Sequence, residues 1–419
     1  MLKSLLLVLI GVMLFGASEV LGQDSRTATA DREIRPRPFG VKELPASRRA
    51  AIDGAADYSA KQAGRAVLVV QDGDVVFERT EGNWKPGYPH ALASGTKSFS
   101  GVLAAFALQD GLFTSWDERA ADTLIEWRSD PRKSQITLRQ LLSLSSGLDP
   151  GQDVFEKGVG ALAAGRPRDA VVDRLLSEPG DRDFFAAAIK IEATAEPGAA
   201  FRYGPSHFYA FGAMLEATLQ ARAASDPSFP SDVFGYMEAR IFRPLQIAVG
   251  RFGKDAVGHP NLPGGAALAP REWAKFGEFV RKGGVVREES GKDVRLLRAD
   301  LLAECFRPSP ANARYGLTWW LPLGGEAVEA DVADGLRGTP LRRRDRQPAA
   351  TGSRPTDASL IGPDGLPLRI HMAAGLGKQR LYVVPALGLV IVRFAAIGPN
   401  GRRFEDDAFL RPIIEAFRS

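Results

Sequence analysis

Ser94-Gly95-Thr96-Lys97 sets a hydroxyl and an amine three residues apart, directly ahead of a long apolar run. Residues at that spacing share one face of a helix. A neutral amine so placed can take the hydroxyl proton and make the serine a nucleophile. At a helix start, unpaired N–H groups and the helix dipole also favour an alkoxide or a tetrahedral oxyanion. Burial on an apolar helix disfavours the charged form of the amine. This is the only S-x-x-K match in the sequence. Taken alone it reads first as a capping serine followed by a surface lysine, so its surroundings must decide.

Two further segments offer chemistry. Pro197-Gly198 leads through Phe201-Arg202 to Tyr203, just before an apolar helical stretch that Pro205-Ser206 begins. A phenol there can carry a proton between a nucleophile and a leaving group, or simply pack its ring and tie its hydroxyl to backbone. Ala373-Ala374-Gly375-Leu376-Gly377-Lys378 ends an apolar strand with two glycines. Such an edge admits a substrate close to the backbone and can present an N–H to a developing oxyanion, or it is an ordinary turn. The Gly-x-Gly-Lys there lacks the spacing of a phosphate loop and is followed by a strand.

The elements that must position these residues are legible from pattern. Residues 46–62 read as a helix. Arg65 to Arg79 reads as a hairpin, with β-branched residues on both sides of Asp72-Gly73. Phe99, Val102, Leu103 and Phe106 repeat at helical spacing, and Gly111 ends that helix. Further helices are expected at 137–143, 207–222 and from Trp273 to Val280. Leu368–Ala374, Arg380–Val384 and Leu389–Phe394 read as strands, and Phe404–Phe417 as a closing helix. One antiparallel sheet built from both chain ends, with helices flanking it and a large helical subdomain inserted, is an α+β architecture. The helical block is expected over about 98–310. A surface excursion rich in Gly, Pro and Arg is expected over about 324–365.

With these segments in order, a resemblance emerges. Ser94-Gly95-Thr96-Lys97-Ser98-Phe99, Leu141 to Leu148, Pro197-Gly198 to Tyr203, Tyr315-Gly316-Leu317-Thr318-Trp319-Trp320 and Gln379 to Pro385 together resemble the serine beta-lactamase-related hydrolases. That family includes class C beta-lactamases, D-Ala-D-Ala carboxypeptidases and transpeptidases, family VIII esterases and 6-aminohexanoate-dimer hydrolases. The resemblance covers roughly residues 45–419 and implies a beta-lactamase/transpeptidase-like fold. It implies Ser94 as nucleophile, Lys97 as base or its activator, and Tyr203 as the tyrosine of the Y-x-N motif. It also implies an oxyanion site of backbone N–H groups from Ser94 and Leu376, beside Gly375. Two departures bear on substrate. Pro205 stands where Y-x-N has asparagine, and Ala373-Ala374-Gly375 has no lysine where many members have K-T-G. In the beta-lactamases and penicillin-binding proteins that cation helps to hold a substrate carboxylate. The expected reaction is therefore hydrolysis of a small-molecule ester or amide through a Ser94 acyl-enzyme. A beta-lactamase or D-Ala-D-Ala carboxypeptidase is the first alternative, and a catalytically idle ligand-binding or scaffold protein of the same fold is the second. His371 shares a strand face with Ala373 and reads as a strand histidine rather than a substrate contact. His90 and His207 show no acidic partner, so no Ser-His-Asp triad is expected. No cofactor is expected, and no metal site, since no His/Cys/Asp/Glu group has ligand spacing.

The remaining composition sets bounds. The chain has 419 residues, 45% hydrophobic and 25% charged, which is ample for a large core. Lys3 followed by an apolar stretch from Ser4 to Ala17 reads as a signal peptide over 1–22, with cleavage near Gly22. Residues 23–44 then read as a linker and 45–419 as the hydrolase domain. The expected location is periplasmic or secreted, with no membrane span after cleavage. The net charge of +4 is unchanged by loss of Lys3 and Glu19, and implies no nucleic-acid partner. Arg342, Arg343, Arg344 and Arg346 read as a solvated loop. Cys305 is the single cysteine, so no internal disulfide is available, and it reads as a small buried hydrophobe.

Overall fold

Apolar β-branched runs at both chain ends carry backbone edges that must be paired and faces that helices must cover. The structure, a computed structural model, describes residues 34–151, 183–322, 368–396 and 404–418. The expected signal segment and the 324–365 excursion lie outside these residues. The strands are β1 (Gly40–Val41), β2 (Gly64–Gln71), β3 (Asp74–Thr80), β4 (His90–Ala91), β5 (Val249–Phe252), β6 (Ala266–Leu268), β7 (Val285–Arg287), β8 (Asp293–Arg295), β9 (His371–Gly375), β10 (Gln379–Val384) and β11 (Leu389–Ala395). The main sheet runs β1-β3-β2-β11-β10-β9. The β2–β3 hairpin turns on Asp72 and Gly73, both at positive φ (50° and 85°), the twist that suits a two-residue connection. β11 pairs antiparallel with β2, from Leu389 opposite Gln71 to Phe394 opposite Ala66. That single seam joins the two ends of the chain.

Each face of the sheet has its own cover. Helix Pro270–Arg281 starts with Pro at its first turn and buries Trp273, Phe276, Gly277 and Val280, the spacing of one helical stripe. Gly277 lets it approach closely, since a Cβ there would lie 2.6 Å from Val390 and 2.9 Å from Leu381. On the opposite face, helices Ala46–Lys61 and Asp406–Arg418 pack against each other and the sheet. Arg380 and Arg393, directly opposed across β10 and β11, are both fully buried there. Asp406 answers Arg380 at 2.7 Å and also accepts from the Tyr382 hydroxyl. Burial opposes ionisation of the Asp406 carboxyl, but Arg380 and Tyr382 hold it below the usual range. Arg393 donates to Ser59 Oγ and to the Lys378 and Gln62 carbonyls, with its guanidinium 3.7 Å from the Phe404 ring.

Three expectations need correction. The linker was expected to run to residue 44, but the compact unit begins at Arg35. Arg37 N–H donates to the Arg287 carbonyl, and β1 pairs in parallel with β3. The block expected to be helical also contains β5 and β6, which form a small sheet with β4 ahead of the block, and the β7–β8 hairpin. Ala266-Ala267-Leu268 is a short apolar run, which periodicity alone does not separate from helix. The strand expected over Leu368–Ala374 is narrower and later, at His371–Gly375.

Removing Asp406, the one carboxylate that pairs with these buried arginines among the described residues, should be severe. Asp406→Ala is expected to destabilise the fold by about 3–5 kcal/mol, read as a shift in the urea midpoint at unchanged slope.

Candidate active site

Ser94 lies in a 3-10 turn, Ala93–Lys97, that runs straight into helix Ser98–Gln109. Sequence spacing anticipated a helix start, and the tighter turn serves the same end. Ala93, the residue before the serine, is in the left-handed region at φ 48°, a conformation that costs an alanine energy and persists only where neighbours enforce it. Those neighbours are on every side. Leu92 N–H donates to the Ala266 carbonyl of β6, and Ala266 N–H donates to Thr96 Oγ1, which itself donates to the Ala93 carbonyl. A Cβ on Gly95 would lie 2.8 Å from the Trp273 ring. A Cβ on Gly375 would overlap the Leu92 carbonyl oxygen and lie 3.2 Å from Gly95 N. The end of β9 therefore meets the Ser94 turn backbone to backbone, with no side chain between. Leu376 follows immediately, and its carbonyl accepts from Gln379 Nε2.

Lys97 is buried, with 6% of its surface exposed. Its Nζ donates to Ser94 Oγ at 2.9 Å and to the Pro263 carbonyl at 2.7 Å. The same Nζ lies 5.0 Å from the Tyr203 ring centroid and 5.4 Å from that of Phe208. Ser94, Lys97 and Tyr203 thus come together, although more than a hundred positions separate the first from the last. Tyr203 keeps its hydroxyl buried. Its ring lies 6.0 Å from Trp320 and 6.4 Å from Phe201, and Tyr315 closes the group at 5.2 Å from Phe201. Trp320 is bonded through its backbone to Met372 of β9. This aromatic wall is therefore continuous with the edge strand that touches the Ser94 turn.

Several of these residues escaped the sequence reading. Pro263, whose carbonyl holds Lys97, belongs to Pro260-Asn261-Leu262-Pro263-Gly264-Gly265, and the Pro/Gly density there was the available signal. Tyr209 OH donates to Asn261 Oδ1 and steadies that loop. The Tyr203 loop is pinned by Arg202 N–H to the Leu144 carbonyl and by His207 Nε2 to the Arg202 carbonyl. His371 stacks on Phe306 at 3.8 Å. His90 packs between Trp84 and Phe394, with Nε2 at 3.1 Å from the Ala395 carbonyl. Cys305 is fully buried, and that burial pushes its thiol well up, which leaves it inert.

Folding also assembles a cluster that the sequence did not suggest: Asp183, Asp255 and His259, with ligand atoms all within 4.8 Å of one another. Its donor chemistry is that of an ion-pair knot rather than a metal centre. Asp255 Oδ1 accepts from the N–H groups of Val257 and His259, and Oδ2 from Phe184 N–H. His259 Nδ1 faces Asp255 and Asp183, and Nε2 faces Glu216 at 2.9 Å. Both ring nitrogens must donate, so the ring is an imidazolium and offers no lone pair to a cation. Burial alone would lower its pKa, but Glu216, Asp255 and Asp183 outweigh burial and raise it to about 9.

Known proteins share this arrangement at the level of family and fold. The Beta-lactamase family model matches residues 48–414. No curated protein matches the sequence. Among solved structures, a candidate 6-aminohexanoate-dimer hydrolase from Bacillus anthracis superposes with a TM-score of 0.57 at 16% identity, over 91% of this chain and 88% of that one. EstCE1, a hydrolase with promiscuous acyltransferase activity, gives 0.55 at 14% over 89% and 99%. A D-stereospecific amidohydrolase from a Streptomyces species gives 0.51 at 17% over 89% and 98%. At these identities the likeness is one of fold.

Two outcomes are expected. Gly375→Ala should lower turnover at least about 100-fold by displacing the Ser94 turn, while circular dichroism still reports a folded protein. A raised histidine pKa gives stability that is complete below 6.5 and lost as pH rises through about 9. The melting temperature should therefore fall over that window, and His259→Gln should flatten the fall. On motifs, on fold and on its span, the chain belongs to the beta-lactamase family, whose members are serine hydrolases.

Proposed function

We propose that the chain is an exported serine hydrolase that cleaves an uncharged ester or amide through an acyl-enzyme on Ser94. The observation that carries this reading is the 2.9 Å contact between Lys97 Nζ and Ser94 Oγ, made by a lysine buried among rings and a carbonyl. As the neutral amine, Lys97 takes the Ser94 proton while Oγ attacks the substrate carbonyl. The tetrahedral oxygen is held by the N–H groups of Ser94 and Leu376, at the junction that Gly375 makes tight. Tyr203 then carries the proton to the leaving group. Water then attacks the acyl carbonyl as Lys97 and Tyr203 take its proton, the bond from the acyl carbon to Ser94 Oγ breaks, and that proton returns to Ser94 Oγ as the acid leaves.

The substrate side of the reading rests on what surrounds the serine. Phe201, Tyr203 and Trp320 form an aromatic group backed by the buried Tyr315, and Ala373 brings no cation to the edge strand. Both suit a neutral, largely apolar group better than a carboxylate. The names of EstCE1 and of the D-stereospecific amidohydrolase support the ester and amide classes. The apolar segment at the chain start supports export.

The test uses protein recovered from the periplasm or medium of an expressing cell. A fluorophosphonate should add to wild type once, at Ser94, on a chain that begins near Gln23. Ser94→Ala should take no adduct and lose at least about 10³-fold in p-nitrophenyl ester turnover. Unchanged turnover in Ser94→Ala refutes the assignment of the nucleophile.

A further inference from the structure

His207 is a fully buried imidazole, 1% exposed, that the proposed reaction does not use. Its Nε2 lies 2.9 Å from the Arg202 carbonyl, and its Nδ1 lies 2.9 Å from Ser146 Oγ. A carbonyl can only accept, so Nε2 carries the proton and Nδ1 accepts from the Ser146 hydroxyl. Ser146 Oγ in turn accepts from Leu148 N–H at 3.2 Å. Every proton and lone pair in this chain of bonds has one assignment. Burial lowers the imidazole pKa to about 4, which keeps that single neutral tautomer across the working range.

The bond to Arg202 matters because of what shares its plane. The Arg202 carbonyl and the Tyr203 nitrogen belong to one rigid peptide unit. On its other side, Arg202 N–H is held by the Leu144 carbonyl at 2.8 Å. Beyond Tyr203, Gly204 fits only because it lacks a Cβ, which would lie 2.5 Å from the Pro150 side chain, and Ser206 bonds to Pro150 and Asp149. Pro205 has no N–H to give. The peptide that aims the phenol ring toward Lys97 is therefore set at its carbonyl end by one side chain. We propose that His207 is a positioning residue for Tyr203, acting by fixing the Arg202–Tyr203 peptide through Nε2 while Ser146 fixes the imidazole. This rests on the reading of Tyr203 as a proton carrier. A displacement of about 1 Å at a catalytic group can cost on the order of 100-fold in rate, so the effect belongs in kcat rather than in KM.

A double-mutant cycle on p-nitrophenyl acetate tests the inference in the full-length enzyme. His207→Phe keeps the ring and removes both nitrogens. It is expected to lower kcat by about 10- to 100-fold with KM within about twofold. In a Tyr203→Phe background, which has no phenol to aim, the same substitution should cost less than about threefold. His207→Gln, which retains an N–H donor, should recover part of the loss in the Tyr203 background. If His207→Phe does not fold, His207→Gln takes its place in the cycle. Equal losses in both backgrounds, or an unchanged kcat, overturn the inference while wild type still forms its Ser94 adduct. A wild type that forms no adduct overturns the hydrolase reading and this inference with it.

Discussion

The contact between Gly375 and the Leu92 carbonyl is the constraint around which the site is arranged. A strand edge and the Ser94 turn touch there through backbone alone, and any larger residue would push them apart. The turn cannot retreat, because Trp273 lies behind Gly95 and β6 holds Leu92 and Thr96. Compression from three sides is what keeps Ala93 at a positive φ. The proposed oxyanion site of main-chain groups needs such fixity, since its donors must already point correctly before charge develops.

Three basic side chains, each wholly or mostly buried, meet different surroundings in this molecule. Arg380 is met by a carboxylate, Asp406, and by carbonyls, so its charge is permanent and structural. Lys97 is met by a hydroxyl, a carbonyl and two ring faces. His259, held by three carboxylates, is the third case, and it is a tie between segments rather than a reagent.

The sequence made the scaffold readable where one rule dominated. The Asp72-Gly73 hairpin, the stripe from Trp273 to Val280 and the strands after Arg380 each carry a strong local pattern, and all appear close to their expected bounds. The meeting of Ser94 with Lys97 was legible for the same reason, as a three-residue spacing on one face. What stayed hidden was carried by main chain or by long-range packing. The Pro263 carbonyl has no side-chain signature. Asp183 and Glu216 find His259 only through tertiary folding. β1 is two residues long and gains its register from β3 rather than from its own composition.

The seam between β2 and β11 has a consequence for timing. Ser94 lies in the first quarter of the chain and Gly375 in the last eighth. A growing or partly threaded chain can form the hairpin and the turn, yet it holds no edge for that turn to rest against. Pairing across so long a loop is slow and comes late. On the proposed mechanism, hydrolytic competence is thus withheld until almost the whole polypeptide has arrived, and a truncated chain carries the serine without the edge it needs.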